Sequence, residues 1–171
     1  MNINKENNFC DEKKFSDFFL NQSKLLNNYI YYKCGNIDLA ADITQEAFLK
    51  FWNNCKKVLP GKAKSFLYTI ANNLFLNEYA KNKVVLNFKN CQTKNYTNES
   101  PEFLLEEKEF GFKLQQAISN LSEAQRTAFL MNRIDGKKYR EIAEILGISV
   151  KAVEKRIHNA LVNLRSVIEN I

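Results

Sequence analysis

The sequence is poor in residues that interrupt helices, with 5 glycines and 2 prolines among its 171 residues. Sheets and their turns use both residue types more freely, so this scarcity favours a helical protein. Histidine occurs once and the four cysteines lie far apart, so the sequence contains no zinc-ligand spacing. We expect no metal site and no cofactor. The cysteines are interpreted as buried or incidental thiols: Cys10, Cys34, Cys55 and Cys91.

Long apolar runs are also missing from the sequence. Charges are spread through the N-terminal segment MNINKENNFCDEKKF, and no stretch approaches the roughly 20 apolar residues of a membrane span. This pattern predicts a cytoplasmic protein with no membrane insertion of its own. The chain is 45% hydrophobic and 26% charged, which is typical of a folded protein and excludes a disordered tail. Its formal charge of +6 favours a polyanionic partner.

Apolar residues in the first half recur every three or four positions, the spacing of one helix face. The predicted helices cover residues 14–34, 37–54 and 62–83. The segment Cys34-Gly35-Asn36 is typical of a helix stop. In the third helix we expect the apolar residues from Phe66 to Tyr79 to face the first two helices. Residues 10–84 are therefore assigned to one compact helical domain.

The periodicity is lost in VVLNFKNCQTKNYTNESP, and we interpret residues 85–103 as a flexible linker. Helical spacing then resumes, and Ser122 with Gln125 forms a capping box at one helix start. The predicted helices cover residues 102–119, 123 to about 135, 138–146 and 150–168. Residues 104–171 thus form a second domain. The predicted fold class is all-α, with two small helical domains.

The segment YREIAEILGISVKAVEKRIHNALVNLR, from Tyr139 to Arg165, predicts a helix-turn-helix. Gly147 can take the positive φ of a tight turn, and the Ser149 hydroxyl can cap the second helix. A helix of this kind fits the major groove of duplex DNA. Its polar face carries Lys151, Glu154, Lys155, Arg156, His158 and Asn159. The alternative is a solvated face whose charges only keep the helix soluble.

Asp38, Asp42 and Glu46 recur every four residues and share one stripe of the second predicted helix. Such a row could hold a magnesium ion, but no further carboxylate cluster or general base completes a site. A docking surface for a positively charged partner helix suits the stripe better. An ordinary solvent-exposed helix face is the alternative.

The third predicted helix interleaves lysines with aromatic residues and asparagines, in KAKSFLYTIANNLFLNEYAKNK. Single-stranded nucleic acid is bound by cations that follow the phosphates and by rings on which bases stack. An aromatic row at helical spacing is nevertheless usually core, so we expect only one or two of these rings to be exposed.

Together these segments resemble the small bacterial sigma factors of the extracytoplasmic-function (ECF) group, which direct RNA polymerase to promoters. The segment DLAADITQEAFLKFW is similar to the family's polymerase-binding motif. KSFLYTIANNLFLNEYAKNK is similar to the helix that reads and opens the minus-ten element. LSEAQRTAFLMNRIDGKKYREIAEILGISVKAVEKRIHNALVNLR is similar to the domain that reads the minus-thirty-five element.

The resemblance implies two partners, namely promoter DNA and core RNA polymerase with its beta-prime clamp helices and beta flap. An anti-sigma protein, often membrane-bound, is a third partner that the family uses. The implied polymerase-binding residues are Asp42, Gln45, Glu46 and Leu49. The implied contacts to the minus-ten strand are Lys62, Lys64, Asn73, Asn77 and Lys81. The implied duplex contacts are Ser149, Lys151, Lys155, Arg156, His158 and Asn159. No catalytic residue is implied.

The third helix departs from the family pattern. Where the family commonly has Arg-Asn followed by Asp and paired arginines, this helix has Asn72-Asn73, then Asn77-Glu78 and Ala80-Lys81. Phe66 stands where tryptophan is common. Three other functions stay open. A freestanding helix-turn-helix regulator would bind a palindrome without polymerase. A metal-dependent nuclease would use Asp38, Asp42 and Glu46, and an adaptor would bind only proteins.

Overall fold

The computed structural model describes residues 9–82 and 101–168, and every regular element within those ranges is helical. The predicted all-α fold class is confirmed. The helices are α1 (Glu12–Cys34), α2 (Ile37–Asn53), α3 (Ala63–Asn82), α4 (Pro101–Asn120), α5 (Glu123–Arg133), α6 (Tyr139–Leu146) and α7 (Val150–Ile168). Two 3-10 helices, Cys55–Lys57 and Pro60–Lys62, connect α2 to α3. None of the helices in these ranges is long and apolar enough to cross a bilayer.

The ends of α1 and α2 follow from capping groups encoded next to them. The Lys14 amide donates to Asp11 Oδ1 at 3.0 Å, so α1 begins slightly before the predicted start at residue 14. Gly35 takes a φ of 65° and its amide donates to the Tyr31 carbonyl at 2.7 Å, which ends α1. Asn36 then caps α2. The predicted helix stop is confirmed.

The N-terminal domain is formed by α1, α2 and α3, which pack through their apolar faces. Leu26, Phe51 and Leu67 contribute one fully buried side chain from each helix. The ring of Phe18 stacks on that of Phe51, with centroids 5.1 Å apart. Burial of a side chain of this size contributes roughly 1.5–3 kcal/mol. The hydrophobic face therefore fixes how α2 and α3 present their polar sides.

Tyr79, which was expected to face the first two helices, and Trp52 both lie at the surface. Tyr79 exposes 49% of its area, and its ring stays beside Phe75 with centroids 6.0 Å apart. Trp52 exposes 37%, with its ring against Phe15. Both residues lie in the last turn of their helix, where neighbouring helices cover less of the surface. Tyr68 and Phe75 are buried, so the expectation of one or two exposed rings in α3 is confirmed.

The cysteine prediction is wrong for two of the four residues. Cys10 and Cys55 form a disulfide, with Cα atoms 5.2 Å apart and a sequence separation of 45. The 3-10 turn after α2 brings Cys55 beside the residues that precede α1, a proximity that sequence distance conceals. Cys34 is a free, buried thiol, as expected. Cys91 lies outside the described residues.

The C-terminal domain contains α4 to α7. Met131, Ile142 and Val153 bring α5, α6 and α7 together in its core. Helix α4 begins at Pro101, so the last three residues of the predicted linker, 101–103, are helical. Proline is favoured in the first turn of a helix because its missing N–H has no partner there. The rest of the predicted linker lies almost entirely outside the described residues.

The two domains are in contact. Helix α1 packs against α5 and α3 packs against α6, and one continuous apolar cluster includes buried residues from both domains. The domains thus share part of their core, which the prediction of two separately linked units did not include.

Replacing Phe51 with alanine tests the core of the N-terminal domain. Because Phe51 is fully buried, we expect Phe51→Ala to lower the free energy of unfolding by about 3–5 kcal/mol. Leu49→Ala, on the same helix at a position 65% exposed, is the matched control and should change it by about 0.5 kcal/mol or less. Urea denaturation followed by circular dichroism measures both. Similar losses for the two variants would contradict the packing described here.

Candidate functional site

The predicted polymerase-binding residues lie together on the outer side of α2. Asp42, Gln45, Glu46 and Leu49 are all exposed, while the opposite side of the helix is buried in the core. Residues three and four apart on a helix are neighbours, so the four side chains form one continuous surface. We call these four residues the acidic face.

The acidic face combines charge with apolar area. Leu49 exposes 65% of its area, and Trp52, three residues later, continues the same surface. Glu46 forms an ion pair with Lys50 at 2.9 Å, in which both side chains are about half exposed. Such a pair is weak and easily exchanged for another cation. Trp52 was missed as a surface residue, although its three-residue spacing from Leu49 was a usable signal.

Within the described ranges no group of three or more His, Cys, Asp or Glu residues could hold a metal ion. Asp38, Asp42 and Glu46 share their stripe but face solvent. The structure therefore gives the nuclease alternative no assembled site.

The predicted strand-binding residues differ from one another in solvent exposure, unlike the residues of the acidic face. Lys62, Asn73 and Asn77 are exposed, whereas Lys64 is half-buried and lies 3.8 Å from Glu141 in the C-terminal domain. A hydrogen bond from the Lys138 amide is the largest cause that lowers the pKa of Glu141, so this carboxylate stays ionised beside Lys64. The side chain of Lys81 lies outside the described residues.

Asn72, rather than Asn73, is the asparagine of α3 that faces inward. Its Oδ1 accepts a hydrogen bond from Lys33 Nζ at 2.8 Å and one from the Tyr29 hydroxyl at 3.3 Å. Burial raises the pKa of Tyr29, so its hydroxyl remains a donor. Asn72 therefore makes contacts inside the protein, whereas Asn73 is exposed. The sequence could not show this difference because the two side chains are identical.

The helix-turn-helix is formed as predicted. Gly147 takes a φ of 65° and ends α6, and the Ala152 amide donates to the Ser149 hydroxyl at 3.2 Å at the start of α7. Ala143 is buried where the two helices cross, and Val153 and Ile157 are buried on the inner side of α7. The turn thus fixes the position of α7 against the core of the domain. The opposite side of α7 is left exposed to solvent.

The outer side of α7 divides into two parts. Lys151, Lys155 and His158 are exposed and recur at intervals of four and three residues, so they form one stripe, which we call the basic face. Ser149 is exposed at the start of the helix. Asn159 is half-buried at the edge of this stripe, and Arg156 lies farther round the helix.

Arg156 lines a cleft between the two domains. The cleft has a volume of about 320 Å³. Its N-terminal-domain wall includes Lys33, Tyr68 and Asn72, and its C-terminal-domain wall includes Glu123 and Arg156. The structure therefore separates Arg156 from the other predicted duplex contacts and brings it close to α3.

Arg126 joins the domains and was absent from every predicted site. Its side chain is only 1% exposed. Nε donates to the Tyr32 carbonyl at 2.9 Å and Nη2 to the Lys33 carbonyl at 3.3 Å, both in the last turn of α1. Nη1 donates to the carbonyls of Leu121 at 3.0 Å and Ser119 at 3.3 Å in its own domain. A helix leaves its last carbonyls unpaired, and Arg126 satisfies two of them.

Other polar contacts also join α1 to the C-terminal domain. Lys33 Nζ lies 3.0 Å from Glu123 Oε1, and Asp135 Oδ1 accepts hydrogen bonds from Asn28 at 2.8 Å and Tyr32 at 3.1 Å. We call the full set, with Arg126, the interdomain interface. A sequence signal existed, since Arg126 precedes the buried Leu130 by four residues and so shares its apolar side of α5.

Comparison with known families gives two matches in the same order as the domains. The family described as Sigma-70 region 2 matches residues 20–84, and the family described as Sigma-70, region 4 matches residues 111–164. The first covers most of α1 to α3 and the second covers the helix-turn-helix.

Individual ECF RNA polymerase sigma factors are also similar to this chain. The chain is 30% identical over 172 residues to the ECF RNA polymerase sigma factor SigW of Bacillus subtilis, an alignment that covers 94% of this chain and 92% of SigW. It is 29% identical over 140 residues to the ECF RNA polymerase sigma factor SigE of Mycolicibacterium smegmatis, covering 79% of this chain but 54% of SigE.

Among solved structures, the fold is similar to that of the sigma factor RpoE of Bartonella quintana, crystallised with the anti-sigma factor NepR. The TM-score is 0.66 at 21% identity, and the match covers 92% of this chain and 98% of RpoE. This likeness supports the arrangement of the helices.

Gly147→Ala tests the turn that positions α7. An added Cβ would meet no atom within 4 Å, so its cost comes from the positive φ alone. We expect a loss of about 1–2 kcal/mol in the free energy of unfolding. Gly111→Ala, also in open space but inside α4, is the control and should be neutral or stabilising by up to about 1 kcal/mol. Urea denaturation distinguishes them, and an unchanged Gly147→Ala would refute the strained turn.

Proposed function

This chain belongs to the ECF RNA polymerase sigma factors, and from that premise we propose how its surfaces divide the work of promoter recognition and transcription initiation. The alignment with SigW over nearly the whole of both chains is the observation that carries the assignment. We propose residues 10–84 as the domain that binds polymerase and opens the minus-ten element. We propose residues 104–171 as the domain that reads the minus-thirty-five element.

The acidic face docks on core RNA polymerase in this proposal. Its support is the exposure of Asp42, Gln45, Glu46 and Leu49 on one side of α2, opposite a buried core. Carboxylates attract a basic partner helix and set its orientation, and the exposed Leu49 adds apolar contact area. The partner proposed for this face is the pair of beta-prime clamp helices, and the C-terminal domain is proposed to contact the beta flap.

The basic face of α7 binds the upstream duplex. Lys151, Lys155 and His158 are exposed along one stripe near the start of the helix, where a helix in the major groove makes its base contacts. Ser149 and the N-terminal amides of α7 are suited to a phosphate. Arg156 and Asn159 are proposed to join these contacts from the edge of the stripe.

The outer side of α3 receives the separated minus-ten strand. Lys62, Asn73 and Asn77 are exposed there, and the half-exposed ring of Tyr79 provides a surface on which a base can stack. Lys64 and Lys81 complete the proposed set. Extruding a base costs a few kcal/mol, so these groups must offset that cost.

No catalytic step belongs to this proposal, because binding at three surfaces accounts for the whole activity. We place the protein in the cytoplasm, where polymerase and promoter DNA are found. A freestanding helix-turn-helix regulator remains the second candidate. It requires a palindromic operator and no polymerase, so transcription in vitro with purified core enzyme separates the two functions.

Charge reversal on the acidic face tests polymerase docking. We expect Asp42→Lys combined with Glu46→Lys to abolish co-migration with core polymerase, because both exposed carboxylates would then repel a basic partner. The domain should stay folded, since neither side chain enters the core. Gel filtration and pull-down with purified core enzyme measure the association.

Glu12→Lys combined with Asp17→Lys is the matched control for that experiment. Both residues are exposed on α1, and the pair produces the same change in net charge. The control should retain at least half of the parent's association. Equal association of the acidic-face variant and this control would remove the docking proposal.

Lysine replacement on the basic face tests duplex binding. If Lys151 or Lys155 reads a base, its alanine variant should lose about 1–3 kcal/mol of binding and relax specificity at one position. If the lysine contacts phosphate, the salt slope should fall by about one. Binding is measured at several salt concentrations on a duplex taken from a promoter mapped by transcription in vitro.

Glu154→Gln lies between these lysines on the same exposed side of α7 and serves as the control. Because it removes a negative charge, it should bind the duplex at least as tightly as the parent. Unchanged affinity and salt slope in both lysine variants would exclude the basic face as the duplex-reading surface.

A further inference from the structure

Two segments that are far apart in sequence meet at one end of the N-terminal domain. Phe9 and Cys10 precede α1, and Cys55 lies in residues 54–62, which link α2 to α3. We call residues 54–62 the α2–α3 connection. The ring of Phe9 packs edge-on against the ring of Phe51, with centroids 5.6 Å apart. The disulfide therefore joins the start of α1 to the point where the chain leaves α2.

The α2–α3 connection lies between two of the surfaces proposed above. Trp52, which continues the acidic face, precedes Cys55 by three residues. Lys62, a proposed contact of the minus-ten strand, is the last residue of the connection. Lys56 and Lys57 are exposed between these two ends. The position of Cys55 therefore affects how the chain passes from the polymerase-binding surface to the strand-binding surface.

Hydrogen bonds within the connection are short-range. The Lys57 amide donates to the Asn54 carbonyl at 2.9 Å, and the Val58 amide donates to the Cys55 carbonyl at 3.3 Å. Each of these bonds spans three residues and so shapes the turn itself. The disulfide instead ties the turn to Cys10, across a sequence separation of 45. Opening the disulfide would remove this tie and leave the local hydrogen bonds in place.

The two bridged cysteines differ in access to solvent. Cys10 is half-buried, whereas Cys55 exposes only 7% of its area. A small thiol can therefore reach the Cys10 sulfur, with Cys55 as the leaving group. Cys34 exposes 1% of its area and burial raises the pKa of its thiol, so it is a poor competitor for such an exchange.

We propose that Cys10 and Cys55 form a reversible thiol–disulfide site, and that the chain is more active in transcription when this disulfide is closed. Its co-reactants are small intracellular thiols and their disulfides. In the cytoplasm, where we place this chain, disulfides are rare and most of those that occur are catalytic or redox-sensing. The inference rests on the function proposed above. The closed disulfide holds the connection in place before polymerase and the strand bind, and pre-organisation of this kind lowers the cost of binding.

The exchange balances with a small thiol as the reductant. Its thiolate attacks Cys10 Sγ, the bond between the two cysteines breaks, and Cys55 leaves as a thiolate that takes up a proton. A second thiolate attacks the small-molecule sulfur of the mixed disulfide, which releases Cys10 to take up the other proton. Two small thiols are thereby oxidised to one small disulfide as the protein disulfide is reduced. The same steps in reverse close the bond, with the small disulfide as the oxidant.

A redox titration of the full chain tests whether the site is reversible. All samples carry Cys91→Ser, so that a cysteine outside the described residues does not take part. The folded chain is equilibrated with glutathione in mixtures from fully reduced to fully oxidised, and its thiols are then alkylated and located by mass spectrometry. Cys10 and Cys55 should be labelled together in reduced glutathione and protected together in oxidised glutathione, with Cys34 unlabelled in both.

Circular dichroism at the same temperature should show that both forms keep their helices, so that a difference in activity is not a difference in folding. A disulfide that stays closed in reduced glutathione alone, or open in oxidised glutathione alone, would overturn the reversible site.

Transcription in vitro tests what the disulfide does. The chain is oxidised or reduced, freed of glutathione, and then mixed with core polymerase and a promoter fragment. At a limiting concentration of the chain, the closed form should give at least about threefold more transcript than the open form. Cys10→Ser cannot close the bond and should match the open form after either treatment. Cys34→Ser keeps both bridged sulfurs and is the matched control, which should show the same ratio as the parent.

Equal transcription from the two forms, or less from the closed form, would overturn the inference and leave the proposed function intact. A difference that persists in Cys10→Ser would also overturn it, because the effect would then come from another group. No transcription from either form would instead overturn the proposed function, and with it the effect on transcription, whereas the titration of the disulfide would be unaffected.

Discussion

A buried guanidinium, that of Arg126, organises the centre of the molecule. A cation with 1% exposure is costly unless hydrogen bonds replace its water, and four backbone carbonyls do so here. Burial lowers the pKa of Arg126 while Glu123 raises it, and arginine stays charged under such conditions. The end of α1, the start of α5 and the turn after α4 are consequently fixed around one group. A change in their relative positions would break the hydrogen bonds that Arg126 donates to Tyr32 and Lys33.

This constraint extends to the surfaces proposed for function. Helix α1 ends at Gly35, and Asn36 caps α2 immediately afterwards, so whatever fixes the end of α1 also orients the acidic face. On the other side, α5 packs with α6 and α7, which carry the turn and the basic face. The acidic face and the basic face thus lie on separate helices, α2 and α7, that share one structural centre.

Local chemistry explains how much of this could be read from the sequence. Helix bounds were accessible because their determinants are neighbours in sequence, as with Gly35 and with the Ser122 capping box, in which the Gln125 amide donates to the Ser122 hydroxyl at 3.3 Å. The acidic face was accessible because helical spacing alone places its residues on one side. The exposure of Tyr79 could not be predicted, because it depends on where the neighbouring helices stop covering α3.

Contacts between residues far apart in sequence could not be predicted from helical spacing or capping signals. Two of the carbonyls that accept hydrogen bonds from Arg126 lie 93 and 94 residues earlier in the chain. The hydrogen bond from Asn28 to Asp135 spans 107 residues. Asn72 and Asn73 are chemically identical neighbours, and the sequence does not show that the first is partly buried and hydrogen-bonded to Lys33 while the second is exposed. The cleft that Arg156 lines has the same origin, because one of its walls belongs to the other domain.

The bridge between Cys10 and Cys55 gives the N-terminal domain two covalent forms. Closing a loop across 45 residues removes conformational freedom from the unfolded chain that corresponds to about 4 kcal/mol in the chain-entropy description. Reducing compartments keep most such bonds open, so the same polypeptide would be noticeably less robust to heat or urea there than after exposure to air. Samples handled with and without a thiol reagent should therefore differ in stability.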